Sequence, residues 1–444
     1  MKKRIAYHTL GCKLNFSETS AISRKMSDKG YEKVELSEEA DFYVVNTCSV
    51  TENANKKCRA IARQLKRKSP SAKVIFMGCY AQLKPDEISE IPGVSMVLGA
   101  KDKFRLDSYI ESLDDSEEAL VLNTPVKEVD FYTPAYSIDD RTRSFLKIQD
   151  GCDYFCSFCT IPLARGKSRS ASTETVIKQA QEIAAKGIKE IVLTGVNTGD
   201  FGRSEDGRTR GEESFTDLIL SLSKMEEIER WRISSIEPNL ISAKVIETVA
   251  STKTFMPHFH IPLQSGSDKI LKLMRRKYDS TFYTNKIQEI RDKIPHVCIG
   301  IDVIVGFPGE SDEDFLTTYN FLKDLQPSYL HVFSYSERLN TKAASMDGSV
   351  DPSKRKERSE QLRSLSLKLQ RSYYSKFERS ERPVLFEAGN GTKDMHGFTD
   401  NYIKVKLPYD ETLVNTVQNV RISGIDADGI AECELLQNKM KVTL

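Results

Sequence analysis

The stretch Asp150-Gly-Cys-Asp-Tyr-Phe-Cys-Ser-Phe-Cys-Thr160 places Cys152, Cys156 and Cys159 in a C-x3-C-x2-C run. It reads as a loop between a strand-like segment at 145–149 and a later helix. Three thiolates at this spacing hold three irons of a [4Fe–4S] cube, whose irons prefer thiolate sulfur. No fourth cysteine follows nearby, so the fourth iron is left open for a ligand. A zinc site would need a fourth Cys or His at short spacing, and the next histidine is His258. A disulfide would leave one thiol over.

Working outward, the 444 residues allow two to four domains. The chain is 39% hydrophobic and 29% charged with a net charge of +1, so any nucleic-acid signal must be local. No run approaches the ~20 apolar residues of a membrane span. The basic start Met1-Lys-Lys-Arg4 leads into a strand rather than a signal peptide, which predicts a cytoplasmic protein. Nine cysteines, an odd number, in such a chain argue for metal rather than disulfides.

Upstream, strand-like segments at 4–9, 41–46 and 74–78 alternate with helix-like ones, which predicts βαβ units and a parallel sheet. Asn15 or Ser17 is the expected cap of a first helix over about 18–29. Each strand runs into a cysteine: Cys12, Cys48 and Cys79. Ligands sit outside the carboxyl ends of strands in such sheets, so these three far-apart cysteines meet at one edge and suggest a second open cluster. Cys58, Cys298 and Cys433 share no such placement and read as packing residues.

Together, Thr9-Leu-Gly-Cys-Lys-Leu-Asn15, Asn46-Thr-Cys48, Met77-Gly-Cys79 and the Cys152/Cys156/Cys159 run resemble the radical S-adenosylmethionine (SAM) methylthiotransferases. The resemblance covers nearly the whole chain. It implies an α/β fold in three parts: an N-terminal methylthiotransferase domain with an auxiliary cluster (1–135), a partial (β/α)6 radical-SAM barrel plus linking helix (140–375), and a small OB-like β-barrel of TRAM type (381–444). Leu-Gly-Cys-Lys is similar to the branch acting on N6-threonylcarbamoyladenosine in tRNA. The branches acting on isopentenyladenosine and on a ribosomal-protein aspartate usually carry other residues after that cysteine, and both remain alternatives. The implied cofactors are two [4Fe–4S] clusters and SAM; the implied partners are tRNA, an external electron donor and a sulfur donor. The implied reaction converts C2–H of the modified adenine into C2–SCH3 and consumes two SAM. Cys152, Cys156 and Cys159 would hold the SAM-cleaving cluster, and Cys12, Cys48 and Cys79 the one that carries sulfur.

Strand-like segments at 190–194, 232–235, 259–262, 298–305 and 330–334 suit the barrel, whose reactive centre lies at the strands' carboxyl ends. By the resemblance, the turn Thr194-Gly195-Val196-Asn197 meets the SAM amino group, Ser234 or Glu237 faces the ribose, and Phe158 backs the adenine. Gln264 shares that pocket. Asp302-Val-Ile-Val-Gly-Phe-Pro-Gly-Glu310 resembles the family's adenine-supporting strand, with Glu310 one place later than the usual pattern. His258, His260 and His331 read as structural or surface residues. Residues 100–143 read as linker and surface, with an acidic turn at 114–118. A packing stripe of Leu362, Leu365, Leu369 and Tyr373 marks a long helix, with Arg355 and Arg358 off that stripe.

Two segments bear on RNA. Lys56, Lys57, Arg59, Arg63, Lys66, Arg67 and Lys68 lie on the helix after Cys48 with no acidic residue between Glu52 and Asp86, a pattern suited to phosphate. From 381 onward, seven Lys/Arg stand against ten Asp/Glu. RNA binding there would need a Lys404/Lys406 patch and stacking on Phe398 or Tyr402. Two readings compete: a single-cluster enzyme whose N-terminal cysteines store electrons, and a zinc-stabilised RNA-binding module.

Overall fold

The computed structural model describes residues 2–49, 52–113, 118–138, 142–389, 391 and 393–436; most of the acidic turn at 114–118 lies outside them. The first sheet has six parallel strands: β1 (Arg4–Thr9), β2 (Glu32–Val34), β3 (Phe42–Thr47), β4 (Lys73–Gly78), β5 (Val94–Leu98) and β6 (Leu120–Leu122), in the order β2-β1-β3-β4-β5-β6. Strands buried on both faces read as continuous apolar runs. In β3 and β4, Tyr43, Val45, Val74 and Phe76 enter one core with Ala62 and Leu65 of α2 (Glu52–Lys68). Phe42, Val44, Ile75 and Met77 enter the other with Ile22 and Met26 of α1 (Lys13–Asp28).

α1 begins at Lys13, five residues before the expected start, with Cys12 at its N-cap position. Asn15 is therefore inside the helix, and its side chain bonds across the sheet edge instead of capping. Residues 100–143 also differ from expectation. Leu120–Leu122 adds the sixth strand, and Ala135–Tyr136 pairs antiparallel with Ser144–Lys147. Strands of three and two residues are too short to show a period in the sequence.

Six parallel strands form the partial barrel: Ser144–Lys147, Glu190–Thr194, Arg230–Ile233, His258–His260, Cys298–Val305 and Tyr329–Ser334. Single bridges, Trp231 to Phe255 and Ser235 to His260, join the third to the fourth. Five helices return the chain: Thr173–Ala184, Phe215–Leu222, Ala243–Ser251, Ser280–Lys293 and Asp312–Leu325. Each has a Ser or Asp N-cap accepting from its first-turn N–H. Alternation along the strands decides the interior. Leu146, Ile191, Leu193, Trp231, Ile233, Phe259, Ile301 and Val303 pack outward against the helices. The intervening positions carry Lys147, Glu190, Arg230, Arg232, His258, His260 and Asp302, so the lumen is polar.

Glu381–Phe386, Asp394–Thr399, Lys404–Pro408, Val417–Ile425 and Ala431–Leu435 close into a five-stranded barrel. The second of these escapes sequence reading because His396 and Gly397 interrupt its apolar alternation. The helix Pro352–Ser375 joins the two barrels, burying Leu362, Leu365 and Leu369 in one core and Tyr373 in the other. Arg355 and Arg358 are buried too. Arg358 pairs with buried Glu310 at 2.5 Å, and Glu310 also accepts from the Gly306 N–H at 2.7 Å. Glu310 thus anchors the linking helix.

Candidate active site

Cys12, Cys48 and Cys79 leave the carboxyl ends of β1, β3 and β4, which are neighbours in the sheet. Gly11 (φ +104°) makes the turn possible: a Cβ there would lie 2.7 Å from the Cys48 Cβ and 3.0 Å from its Sγ. Gly78 (φ +97°) does the same before Cys79, where a Cβ would meet Asn46 Oδ1 at 2.3 Å. Asn15 ties the loops together, donating to the Leu10 carbonyl at 2.7 Å and the Thr47 carbonyl at 3.0 Å. Burial raises the Cys79 pKa while the Arg165 cation pulls it back. Three thiols gathered at one sheet edge beside a cation are a donor set suited to an iron–sulfur cluster.

In the lumen, Cys152, Cys156 and Cys159 line a cavity of about 300 Å³. Phe158, Asn197, Glu237 and Gln264 line it as well, whereas Thr194, Gly195 and Ser234 are not among its lining residues. Burial pushes the Cys159 thiol up to about 12 and raises Cys156 also, while the Arg276 cation pulls both back. Asn197 Nδ2 and Gln264 Oε1 are buried without a hydrogen-bond partner among the described residues. Orphaned donors and acceptors on the wall, with the Phe158 ring beside them, fit a zwitterionic nucleoside ligand such as SAM.

Sequence reasoning missed several lining residues. Arg276 donates to Cys156 Sγ at 3.1 Å and to Tyr278 OH at 2.8 Å, and pairs with Glu237. Its signal in Met274-Arg-Arg-Lys277 is an ordinary basic turn. Asp302 also lines the cavity, accepting from His260 at 2.8 Å and His331 at 3.2 Å. That leaves both histidines committed to one carboxylate.

Between the two cysteine sets lies a buried charge cluster. Arg165, from the helix after the cysteine loop, donates to Glu18 and Asp150 at 2.9 Å each and to Asn15 Oδ1 at 2.7 Å. Lys103 pairs with Glu18 at 2.7 Å, and Lys147 approaches Glu18 and Asp150 at 3.4 Å each. Although burial disfavours its charge, the Glu18, Cys79, Asp150 and Cys12 groups around Arg165 hold its guanidinium well above its ordinary range, which ties it to the N-terminal cysteine set and to the carboxylates of the bridge. Lys13, next to Cys12, is a half-buried cation near Arg143, Arg232 and Asp302.

The small barrel presents a different face from the one expected. Phe398 and Tyr402 stack on each other at 4.8 Å under Arg143 and Arg232, each guanidinium 4.7 Å from a ring. Arg230 and Arg232 also donate to the Phe398, Thr399 and Asp400 carbonyls. This turn closes the lumen at the strands' amino ends, where its half-buried rings lie against each other and the two guanidiniums. Lys406 is paired with Asp426 at 2.6 Å. On α2, by contrast, Lys56, Lys57, Arg63 and Arg67 are exposed.

Residues 4–99 match the family described as uncharacterized protein family UPF0004, and residues 146–322 match the radical SAM superfamily. A threonylcarbamoyladenosine tRNA methylthiotransferase MtaB of Bacillus subtilis is 41% identical over 427 residues, covering 94% of this chain and 93% of the relative. The chain belongs to the radical-SAM methylthiotransferases. A relative of the same name from Thermotoga maritima is 34% identical, with 97% of each chain covered. A tRNA-2-methylthio-N(6)-dimethylallyladenosine synthase of Syntrophus aciditrophicus is 34% identical over 90% of this methylthiotransferase and 87% of the relative. The fold also matches the radical SAM methyltransferase TsrM of Kitasatospora setae, with a TM-score of 0.56 at 12% identity over 75% of this chain and 73% of that one. Membership implies SAM and a [4Fe–4S] cluster. Among the described residues no helix is long and apolar enough to cross a membrane.

Proposed function

We propose that this methylthiotransferase converts C2–H of N6-threonylcarbamoyladenosine, next to the anticodon of a tRNA, into C2–SCH3. The observation that carries the reading is the pair of three-cysteine sets joined by the Arg165–Glu18–Asp150 bridge. Support for the substrate comes from the 41% identity to a relative named for that nucleoside, against 34% for one named for dimethylallyladenosine. Cys152, Cys156 and Cys159 would hold one [4Fe–4S] cluster, and Cys12, Cys48 and Cys79 a second. When bound, the first supplies one-electron cleavage of SAM for hydrogen abstraction and the second a carrier for sulfur.

The chain's own part is placement. Asn197 Nδ2 and Gln264 Oε1 are free to meet the polar groups of SAM, and the Phe158 ring offers a face to its adenine. Glu237 is held by Arg276 and keeps one carboxylate edge toward the cavity, suited to a ribose hydroxyl. Thr194 and Gly195 set the turn that aims Asn197: the Thr194 hydroxyl is spent on the Val192 carbonyl at 3.0 Å, and the Asn197 N–H bonds Gln149 at 3.0 Å. The closed lumen base keeps bulk water from the reacting atoms. Three working parts follow, near 1–135, 140–375 and 381–444, acting in the cytoplasm with an external electron donor and a sulfur donor. The exposed cations of α2 would bind tRNA phosphates beside the N-terminal cysteine set.

The test is anaerobically reconstituted protein given SAM, sulfide, a reductant and unfractionated tRNA, with digested nucleosides read by mass spectrometry. A methylthio shift on N6-threonylcarbamoyladenosine is expected. The same shift on isopentenyladenosine alone would reassign the substrate, and no nucleoside shift in cluster-loaded protein would overturn the reading.

A further inference from the structure

The loop that carries Cys152, Cys156 and Cys159 exposes an apolar side chain that the fold does not bury. Phe155 is 57% exposed and sits at φ +48°, a left-handed conformation that bulky residues rarely adopt. It is not among the residues lining the cavity, although Tyr154 and Cys156 on either side of it are. Two further segments are bonded to this loop at Ser157. The Ser157 N–H donates to the Met274 carbonyl at 3.1 Å and its hydroxyl to the Leu273 carbonyl at 2.9 Å. Its carbonyl accepts from the Ala343 N–H at 2.8 Å. Leu339, one residue past Arg338 of the cavity wall, is 68% exposed, the highest value for a large hydrophobic among the described residues.

The same segments carry cations. Arg276 turns inward to Cys156 Sγ at 3.1 Å, while its neighbours Arg275 and Lys277 are exposed, as is Lys342. None of these three exposed cations has an ion pair among the described residues; the Lys277 ammonium lies 4.1 Å from the centre of the Tyr154 ring. Asp153, the one acid on residues 152–159, 273–277 and 339–343, is taken by Arg203 at 3.7 Å and by the Ser168 N–H at 3.2 Å. Exposed apolar side chains among unpaired cations are the pattern of a surface that docks an acidic protein.

Place selects the partner. Adjacent Cα atoms are about 3.8 Å apart, so a molecule resting on Phe155 comes within roughly 10 Å of Cys156. An electron must cross that loop from outside, whereas SAM is held on its cavity side. RNA is acidic too, but an aliphatic Leu339 offers no stacking face, and phosphate binding needs no apolar centre. We propose that Phe155, Leu339, Arg275, Lys277 and Lys342 form the docking face for an acidic one-electron carrier protein. The carrier loses one electron, the [4Fe–4S] cluster gains it, and no bond forms or breaks in that step. The inference rests on the reading that Cys152, Cys156 and Cys159 hold the SAM-cleaving cluster.

Reconstituted wild type, the triple variant Arg275→Glu/Lys277→Glu/Lys342→Glu, and Phe155→Asn test it; asparagine tolerates the left-handed backbone and removes the ring. The probes are an acidic flavodoxin and an acidic [2Fe–2S] ferredoxin. Carrier binding by calorimetry at two salt concentrations, tRNA affinity, iron content, and 5′-deoxyadenosine formed with reduced carrier or with dithionite are read for each protein. Charge reversal should weaken binding of at least one carrier by roughly ten- to a hundredfold and remove its salt dependence. At limiting carrier the carrier-driven rate should fall by a similar factor, with the dithionite-driven rate, iron content and tRNA affinity at wild-type levels. Phe155→Asn should weaken carrier binding by about fivefold or more. A wild type that binds neither carrier, equal binding in all three proteins, equal losses with dithionite, or iron lost from the charge-reversed protein would each overturn the proposal. A loss confined to tRNA affinity would overturn it in favour of an RNA surface. Wild type that forms 5′-deoxyadenosine but no methylthiolated nucleoside overturns the substrate reading and leaves this face standing; iron-loaded wild type that forms none with any reductant overturns both.

Discussion

Replacing Glu18 with Gln removes the one carboxylate that Arg165, Lys103 and Lys147 share. Glu18 is fully buried, with Arg165 at 2.9 Å and Lys103 at 2.7 Å. Burial alone would raise its pKa, but the three cations outweigh burial and hold it below its ordinary 4.5. The variant leaves three cations with Asp150 as their remaining carboxylate. Breaking a buried pair costs about 3–5 kcal/mol, because the surviving charges stay desolvated. At about 1.4 kcal/mol per tenfold, opening of the α1–barrel contact should rise by roughly two to three and a half orders of magnitude. Hydrogen exchange read by mass spectrometry over Lys13–Asp28 would report it, since local opening governs protection there. The control is Glu38→Gln, which breaks an exposed pair with Arg4 at 2.6 Å and should change exchange by no more than about fivefold. A carboxylate with a depressed pKa stabilises above its unfolded value and loses that contribution as pH falls through the folded one. The stability gap between wild type and variant is therefore full at neutral pH and narrows below about 4.5. Exchange in Glu18→Gln no faster than in Glu38→Gln would refute the bridge.

Gly11→Ala forces a Cβ to 2.7 Å from the Cys48 Cβ at a positive φ, so reconstituted protein should hold about half the wild-type iron while the Cys152 set still loads; iron analysis with EPR checks this. Arg276→Met removes the N–H donor and the positive charge beside Cys156, and hydrogen bonds to cluster sulfur raise potential. The barrel cluster of that variant should titrate at a more negative potential in an EPR-monitored redox titration. Arg63→Glu with Arg67→Glu should weaken tRNA binding and flatten its salt dependence by about one unit of slope for each phosphate no longer neutralised. Phe398→Ala should lower the melting temperature and leave that slope unchanged, because its ring packs under Arg143 at the lumen base.

Much of this architecture is legible in the chain because its signals are local. The C-x3-C-x2-C loop, the strand-to-cysteine junctions and the Ser and Asp caps of the barrel helices each depend on residues a few positions apart. What escapes is made by distant charges meeting in the lumen. Glu18 and Arg165 are 147 residues apart, and neither stands out from an ordinary helix face. Arg276 sits in a run of basic residues like any surface turn, yet it is buried against Cys156. Phe398 and Tyr402 look like stacking aromatics until Arg143 and Arg232 are found above them. Among the ligand candidates, Phe158, Asn197, Glu237 and Gln264 line the cavity and Thr194, Gly195 and Ser234 do not; in a pleated strand a shift of one residue reverses which face a side chain takes, and the sequence does not show that register.

The division of labour between the cysteine sets is tested most directly by two triple variants, Cys12/Cys48/Cys79→Ala and Cys152/Cys156/Cys159→Ala. Each is given SAM, reductant, sulfide and tRNA carrying N6-threonylcarbamoyladenosine. The account predicts that the first still releases 5′-deoxyadenosine but forms no methylthiolated nucleoside, and that the second does neither. Methylthiolation at the wild-type level by the variant lacking Cys12, Cys48 and Cys79 would contradict it.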